Sequence, residues 1–489
     1  MGRTGRSTRA ALAVVLLGAG LVLGPRSDAA PLPSVRLLAT SDHQDYNRFE
    51  GPLVFVDPGA WIASTRGAFE LRVKRRTYID PVRIGQVDPD THVVIRRVPS
   101  SLLDGWKGLA NFLHVTVTDA SNATMLDTSV TFCPASYSVN RVNDTGPSSP
   151  HYPQTCGTGP FTKGAVWGID RGWSVDPFAS GTTTFDGPDG HYNVTVSIEP
   201  VYRHLFAIPR NASSVTVDLN VTTSGPTTSQ PHAAVSTPSE GASVPTITNP
   251  DPSTLPELAS LPAWNFSTAT DTATGDDLLQ FAATEWNAGP QPMVVEGYRR
   301  PGTDTMDAYQ YFYRAGRPIG RARVGTMNFE SGPDENHWHF QQFALYSLLD
   351  ANKHLVEPST KEGFCLAPTD AIDMTLLGAA WRPYSVGLST ACGDETALWV
   401  REVLPAGWGD TYFQSSDGQS FDISAVPNGT YYVRIQVNPL HRLYERFTAN
   451  DTQLRQVILG GTAGARTVSV PPWRGIDTEC GCFGFSSRR

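Results

Sequence analysis

Apolar and polar residues alternate over several short stretches of this chain. Residues 431–437 read Tyr-Tyr-Val-Arg-Ile-Gln-Val, residues 193–198 read Asn-Val-Thr-Val-Ser-Ile, and residues 215–221 read Val-Thr-Val-Asp-Leu-Asn-Val. A period of two sends every second side chain to one face of an extended chain, so each stretch predicts a strand half-buried against a core. Pro427-Asn428-Gly429 and Pro188-Asp189-Gly190 precede two of them and supply the residue types that hairpin turns use. Helix-period patterns are scarce; short helices are expected only over residues 276–286 and 371–380. The pattern predicts an all-β protein made of two antiparallel β-sandwich-like domains.

The division falls at residues 223–262, which are rich in Ser, Thr, Pro and Ala and poor in large apolar side chains. Such a segment cannot bury enough surface to order itself and is expected to be a flexible linker. The halves on either side, residues 31–222 and 263–475, share a set of anchors in the same order. Phe132-Cys133, Cys156, Gly172-Trp173 and the run 188–200 correspond to Phe364-Cys365, Cys392, Gly407-Trp408 and the run 427–439. This reads as an internal repeat. Anchors present in both copies are structural on this reading, which predicts the disulfides Cys133–Cys156 and Cys365–Cys392. Cys480 and Cys482, in a tail over residues 476–489, are too close for an easy bond and are expected to pair with another chain or stay free.

Residues 1–30 change the picture from a generic β protein to an exported one. Arg3, Arg6 and Arg9 precede an apolar run over residues 10–24 that ends in Ser27-Asp28-Ala29-Ala30, the layout of a secretory signal peptide. No later stretch is apolar and long enough to span a bilayer, so stable membrane insertion of the mature chain is not expected, and the protein should be secreted. Six cysteines in an exported chain favour disulfides. A net charge of −9 without a basic patch argues against nucleic-acid binding.

The candidate chemistry lies in the second half. Glu335, His337 and His339 in Glu335-Asn336-His337-Trp338-His339-Phe340 are spaced by two, so a strand would project all three from one face as potential metal ligands. Imidazole alone does not select among copper, zinc, iron and nickel. Further along stand Phe343, Tyr346, Leu348-Leu349-Asp350-Ala351-Asn352, then Lys361 before Phe364-Cys365-Leu366, then Gly407 through Asp410-Thr411-Tyr412, then Asn438-Pro439. Over residues 265–470 this ordered set resembles the catalytic domain of the lysyl oxidase family.

The resemblance implies a copper ion on the His337 and His339 strand and a lysine tyrosylquinone cofactor formed from Lys361 and Tyr412. It implies an amine oxidase that uses dioxygen to convert a primary amine, small or within a lysine-containing protein, to an aldehyde with release of ammonia and hydrogen peroxide. The chain departs from the family at one point, where Glu335 replaces the first of three histidines. Glu335, or a histidine such as His354 or His441, completes the shell, or copper binds poorly and the cofactor never matures. Asp410 is open between a general base and a turn residue. The first half serves as an internal control: it carries Ser129 at the place of Lys361 and Pro177 at the place of Tyr412, and has no His-x-His strand. The rival expectation is a catalytically inactive β-sandwich binding or cell-surface protein with a decayed metal site. A zinc hydrolase is a third, and it leaves Lys361 and Tyr412 without a role.

Overall fold

The computed structural model describes residues 35–48, 51–157, 159–223, 244–300, 303–331, 336–359, 361, 363–385, 388–416 and 418–480. Residues 1–34, where a signal peptide is expected, Glu335 and Cys482 lie outside them, as do residues 224–243 of the expected linker.

The three alternating stretches form the strands Gly429–Val437, Gly190–Ile198 and Ser214–Thr223, with burial alternating as the sequence does. The described residues are almost all strand. Both predicted helices are corrected. Residues 277–286 fall in the strand Asp277–Asn287, which is buried on both faces over much of its length, with Leu279, Phe281 and Ala283 in one apolar cluster and Ala282 in another. A strand covered on both faces loses its period of two, and its apolar spacing then imitates a helix. Residues 371–380 leave the short strand Asp370–Ala371 and continue in turns. The α-helix that does form, Pro200–Phe206, begins on a proline and buries Tyr202 and Phe206, four apart on one face.

The two halves order their strands alike. In the first, Val35–Ala39, Ala60–Ser64, Trp173–Val175 and Val139–Arg141 are neighbours in that order; in the second, Leu258–Ser260, Asp277–Asn287, Trp408–Tyr412 and Asp370–Ala371 are. A second sheet runs Gly164–Ile169, Phe69–Lys74, Arg83–Val87, Val94–Val98 in the first half and Trp399–Leu404, Met293–Arg299, Thr305–Arg314, Arg317–Glu330 in the other. That sheet differs at one end, where the second half adds His337–Gln341 and Gly363–Phe364 beyond Glu330. The first-half segment Thr124–Phe132 is one unbroken strand, whereas its counterpart is split into Leu355–Pro358 and Gly363–Phe364 with Lys361 in the break.

The halves also pack on each other. The Lys163 amide donates to the Ile372 carbonyl at 2.8 Å, the Met374 amide to Gly164 at 2.8 Å, and the Thr162 hydroxyl to Ala371 at 3.3 Å. Tyr152 and Val166 of the first half are buried in the second half's core, and Phe161 lies among Leu261, Trp264 and Ile372. The expected linker is also narrower than its composition suggested. Leu255 and Leu258 are buried, and Leu258–Ser260 is a paired strand, so the chain is packed well before residue 262.

Cys133–Cys156 and Cys365–Cys392 are bridged within their own halves, with Cα–Cα distances of 6.1 Å. Loops of 23 and 27 residues make each bridge worth about 3 kcal/mol on a chain-entropy estimate. Cys480 is also disulfide-bonded, which corrects the expectation that it stays free. Among the described residues, no helix is long and apolar enough to cross a membrane.

Candidate active site

The strand His337–Gln341 pairs with the end of Arg317–Glu330, placing Asn328 opposite His339 and Glu330 opposite His337. Trp338 points to the other face, fully buried, where its indole N–H donates to the Asp394 carbonyl at 2.8 Å. The strand thus presents the two imidazoles together, as the spacing of two predicts. Their Nε2 atoms are 2.8 Å apart, and His339 Nδ1 lies 2.8 Å from a Glu330 carboxylate oxygen. A carboxylate there holds the proton on Nδ1 and leaves the Nε2 lone pair facing His337. Burial, then the neighbouring His339, push the His337 pKa down to about 4, so this imidazole is neutral at physiological pH. Gly363 lets the crossing strand close on this pair, since a Cβ there would come within 2.8 Å of the His339 Cβ.

These imidazoles fit copper in donor chemistry: two ring nitrogens converge, one braced from behind by a carboxylate. The third donor is not found beside them. Among the described residues no group of three or more His, Cys, Asp or Glu is arranged to hold a metal ion. His354 and His441, considered for that role, are exposed and pair with Asp350 and Asp451 instead. Glu335 lies outside the described residues.

Lys361 and Tyr412 are brought together. Lys361 is 7% exposed, and its Nζ sits 4.5 Å from the Tyr412 ring centroid and 5.3 Å from that of Phe364. The break in the strand allows this. The Lys361 amide donates to the Ser359 hydroxyl at 3.0 Å, and Gly418, with φ of +74°, passes so close that a Cβ would meet the Lys361 Cβ at 2.8 Å. The Tyr412 hydroxyl accepts from the Cys365 amide at 2.9 Å and donates to the Cys365 carbonyl at 3.2 Å. The Cys365–Cys392 bridge anchors the segment that grips it. Burial, then Asp410 and Glu402, hold the phenol well above its ordinary pKa, so it stays protonated.

Several groups that spacing could not identify complete the surroundings. Glu402, fully buried on Trp399–Leu404, accepts from the Phe340 amide at 3.0 Å and the Leu366 amide at 3.1 Å. It stands on one edge strand of a six-stranded sheet whose other edge is Gly363–Phe364, so the sheet curls and Glu402 fastens the closure. One side chain therefore ties the histidine strand to the segment holding Tyr412. Burial raises its pKa well above the carboxylate range. Glu402→Ala would leave two enclosed amides unpaired, a cost of about 2–4 kcal/mol. Chemical denaturation of the variant should show this loss, and a change under 1 kcal/mol would contradict the closure role. Asp410 is buried mid-strand in Trp408–Tyr412 and is no turn residue. A charged residue inside an apolar run, as in Trp399-Val400-Arg401-Glu402-Val403-Leu404, was the available signal for Glu402.

The lysyl oxidase family model matches residues 325–465. The matched span contains His337, His339, Lys361 and Tyr412 and none of the first half. No curated protein matches the chain.

Proposed function

We propose that this protein is an exported copper-dependent amine oxidase that deaminates primary amines, small or as peptidyl lysine, to aldehydes, consuming dioxygen and releasing ammonia and hydrogen peroxide. The observation that carries the reading is the Lys361 amine held 4.5 Å over the Tyr412 ring, on the strand system that also presents two imidazoles. Neither contact follows from a need of the scaffold, since the first half keeps the strand order and has Ser129 and Pro177 instead.

The residues divide the work. His337 and His339, with Glu335 as the candidate third donor, would hold copper, and Glu330 orients His339. Copper supplies redox chemistry with dioxygen, and lysine tyrosylquinone supplies an electron sink that no ordinary side chain offers. The Cys365 backbone holds the Tyr412 hydroxyl and so fixes the ring's orientation beneath the Lys361 amine. Phe364, edge-on to the Tyr412 ring at 5.3 Å, helps exclude water around the amine. Such positioning turns a meeting of two groups into an intramolecular event.

One observation favours the inactive binding protein instead: only two metal donors converge among the described residues. The same experiment separates the readings. Purified protein is incubated with copper in air, then digested and analysed by mass spectrometry for a peptide pair joined through Lys361 and Tyr412. A visible band that phenylhydrazine shifts is expected alongside it. Copper-saturated protein with unlinked Lys361 and Tyr412 peptides would overturn the oxidase reading.

A further inference from the structure

Phe364 stands in the middle of an enclosed group that the reading above uses only in part. Its ring lies 5.3 Å from the Tyr412 ring, 5.9 Å from the Tyr346 ring and 5.3 Å from Lys361 Nζ. Tyr346 is fully buried, and its hydroxyl donates to the Glu285 carboxyl and meets the Gln419 side chain. Gln419 follows Gly418, the residue packed against the Lys361 Cβ. Glu285 reaches the same enclosure from the sheet. The strand Asp277–Asn287 sets Glu285 opposite Asp410 and Ala283 opposite Tyr412, so these four side chains share one face and Glu285 is the diagonal neighbour of Tyr412. Glu285 is 0% exposed, and the charge that favours its ionised form is the Lys361 ammonium.

These neighbours settle which carboxyl is charged. Asp410 is enclosed between Glu285 and Asp370, and burial and then Glu285 hold it well above the carboxylate range, so it keeps its proton. Glu402, Tyr384 and Tyr412 are the other titratable groups around it. Glu285 has the Tyr346 hydroxyl and the Lys361 cation beside it and takes the one charge that the facing carboxyls can hold. Burial, opposed by Tyr346 and by Lys361, brings its pKa to about 8. An ordinary glutamate, at about 4.3, takes a proton from an ammonium, at about 10.4, against odds of about 10⁶, whereas an acceptor at about 8 faces about 10².

An amine bonds through its free electron pair, so a lysine ammonium has to lose a proton before it can join a ring. Resting on the amine-oxidase reading, we propose that Glu285 is the internal base that takes this proton from Lys361 while the cofactor is being built. In the step, an N–H bond of Lys361 breaks and its proton forms an O–H bond on Glu285. The freed electron pair forms the C–N bond to the Tyr412 ring, which dioxygen and copper have already oxidised to a quinone. The ring gains two electrons, and its oxygens take the protons left by a second N–H bond and by the ring C–H bond that is replaced. A further dioxygen removes two electrons and two protons from the ring and leaves as hydrogen peroxide.

The test loads metal-free wild type, Glu285→Gln and Glu285→Asp with copper in air at pH 8 and follows digests over time by mass spectrometry. Wild type should yield the Lys361–Tyr412 pair. Glu285→Gln should accumulate a Tyr412 peptide that has gained oxygen beside an unlinked Lys361 peptide, with linkage about 10²-fold slower, the lower span for losing a general base. Raising its pH to 9.5 should recover the linkage, because hydroxide then takes the proton, and Glu285→Asp should lie between the two. A folded Glu285→Gln that links at the wild-type rate overturns the proposal, as does one whose Tyr412 stays unoxidised or whose linkage stays slow at pH 9.5. Metal-free protein gives a second readout: the protonated-carboxyl infrared band that Glu285→Gln removes should titrate with a midpoint of about 8 in wild type and persist to higher pH in Lys361→Met. A band indifferent to Lys361→Met overturns the pairing. Should Glu285→Gln fail to fold, Glu285→Asp carries the linkage comparison, and wild type against Lys361→Met the infrared one. Copper-loaded wild type without linkage refutes the amine-oxidase reading and this step with it, whereas linked wild type beside an equally linked Glu285→Gln refutes the step alone.

Discussion

Tyr412→Phe is expected to give a folded protein with no linkage to Lys361, no quinone absorption and amine-dependent peroxide formation at background. A phenyl ring keeps the packing against Phe364 and the place under the Lys361 amine, and only the hydroxyl is lost. Its removal leaves the Cys365 amide and carbonyl short of a partner, a cost of about 1–2 kcal/mol. The chemical loss is far larger, since without a phenol no quinone forms and no other side chain replaces it as electron sink; turnover should fall by about 10³-fold or more. Lys361→Ala should give the same result by removing the other partner. The comparison is informative because stability and turnover separate: a thermal scan near wild type with no peroxide isolates the chemistry. Peroxide formation by Tyr412→Phe at the wild-type rate would remove the quinone from the mechanism.

Removing residues 1–243 is expected to destabilise the second half rather than free it. The first half contributes Tyr152 and Val166 to the second half's core, stacks Tyr152 on Trp381 at 5.7 Å, and seats Phe161 against Trp264. Losing one such aromatic alone costs about 3–5 kcal/mol. It also removes the backbone bonds from Lys163 to Ile372 and from Met374 to Gly164 that hold the chain just after Asp370–Ala371, the strand paired with Gly409 and Trp408 beside Asp410. A fall in Tm of about 10 °C or more, or loss of soluble protein, is the expected outcome at a few degrees per kcal/mol for a domain of this size. Soluble truncated protein with wild-type Tm would show that the two halves are energetically independent, and the first half would then be free for a docking role.

Much of the scaffold was legible because it rests on local rules. Alternation over residues 431–437, 193–198 and 215–221 marked strands that form with the expected faces. The cysteine pairs followed from comparing the two halves, and a spacing of two put His337 and His339 on one face. Residues 276–286 misled because a strand buried on both sides shows no alternation, and residues 252–262 because their polar composition hides Leu255 and Leu258, which the core takes up.

By itself, the sequence determined which side chains are available and which share a face: an alternating β chain, its paired cysteines, two imidazoles side by side, a lysine and a phenol. Tertiary structure alone decided that the strand breaks at Lys361 and turns its amine over Tyr412, that Glu402 closes the curled sheet behind them, and that Glu285 meets Asp410 across a dry interface. The reason is range. Period and spacing act over a few residues, whereas these contacts join segments dozens to more than a hundred residues apart, and only the register between strands fixes which side chains meet.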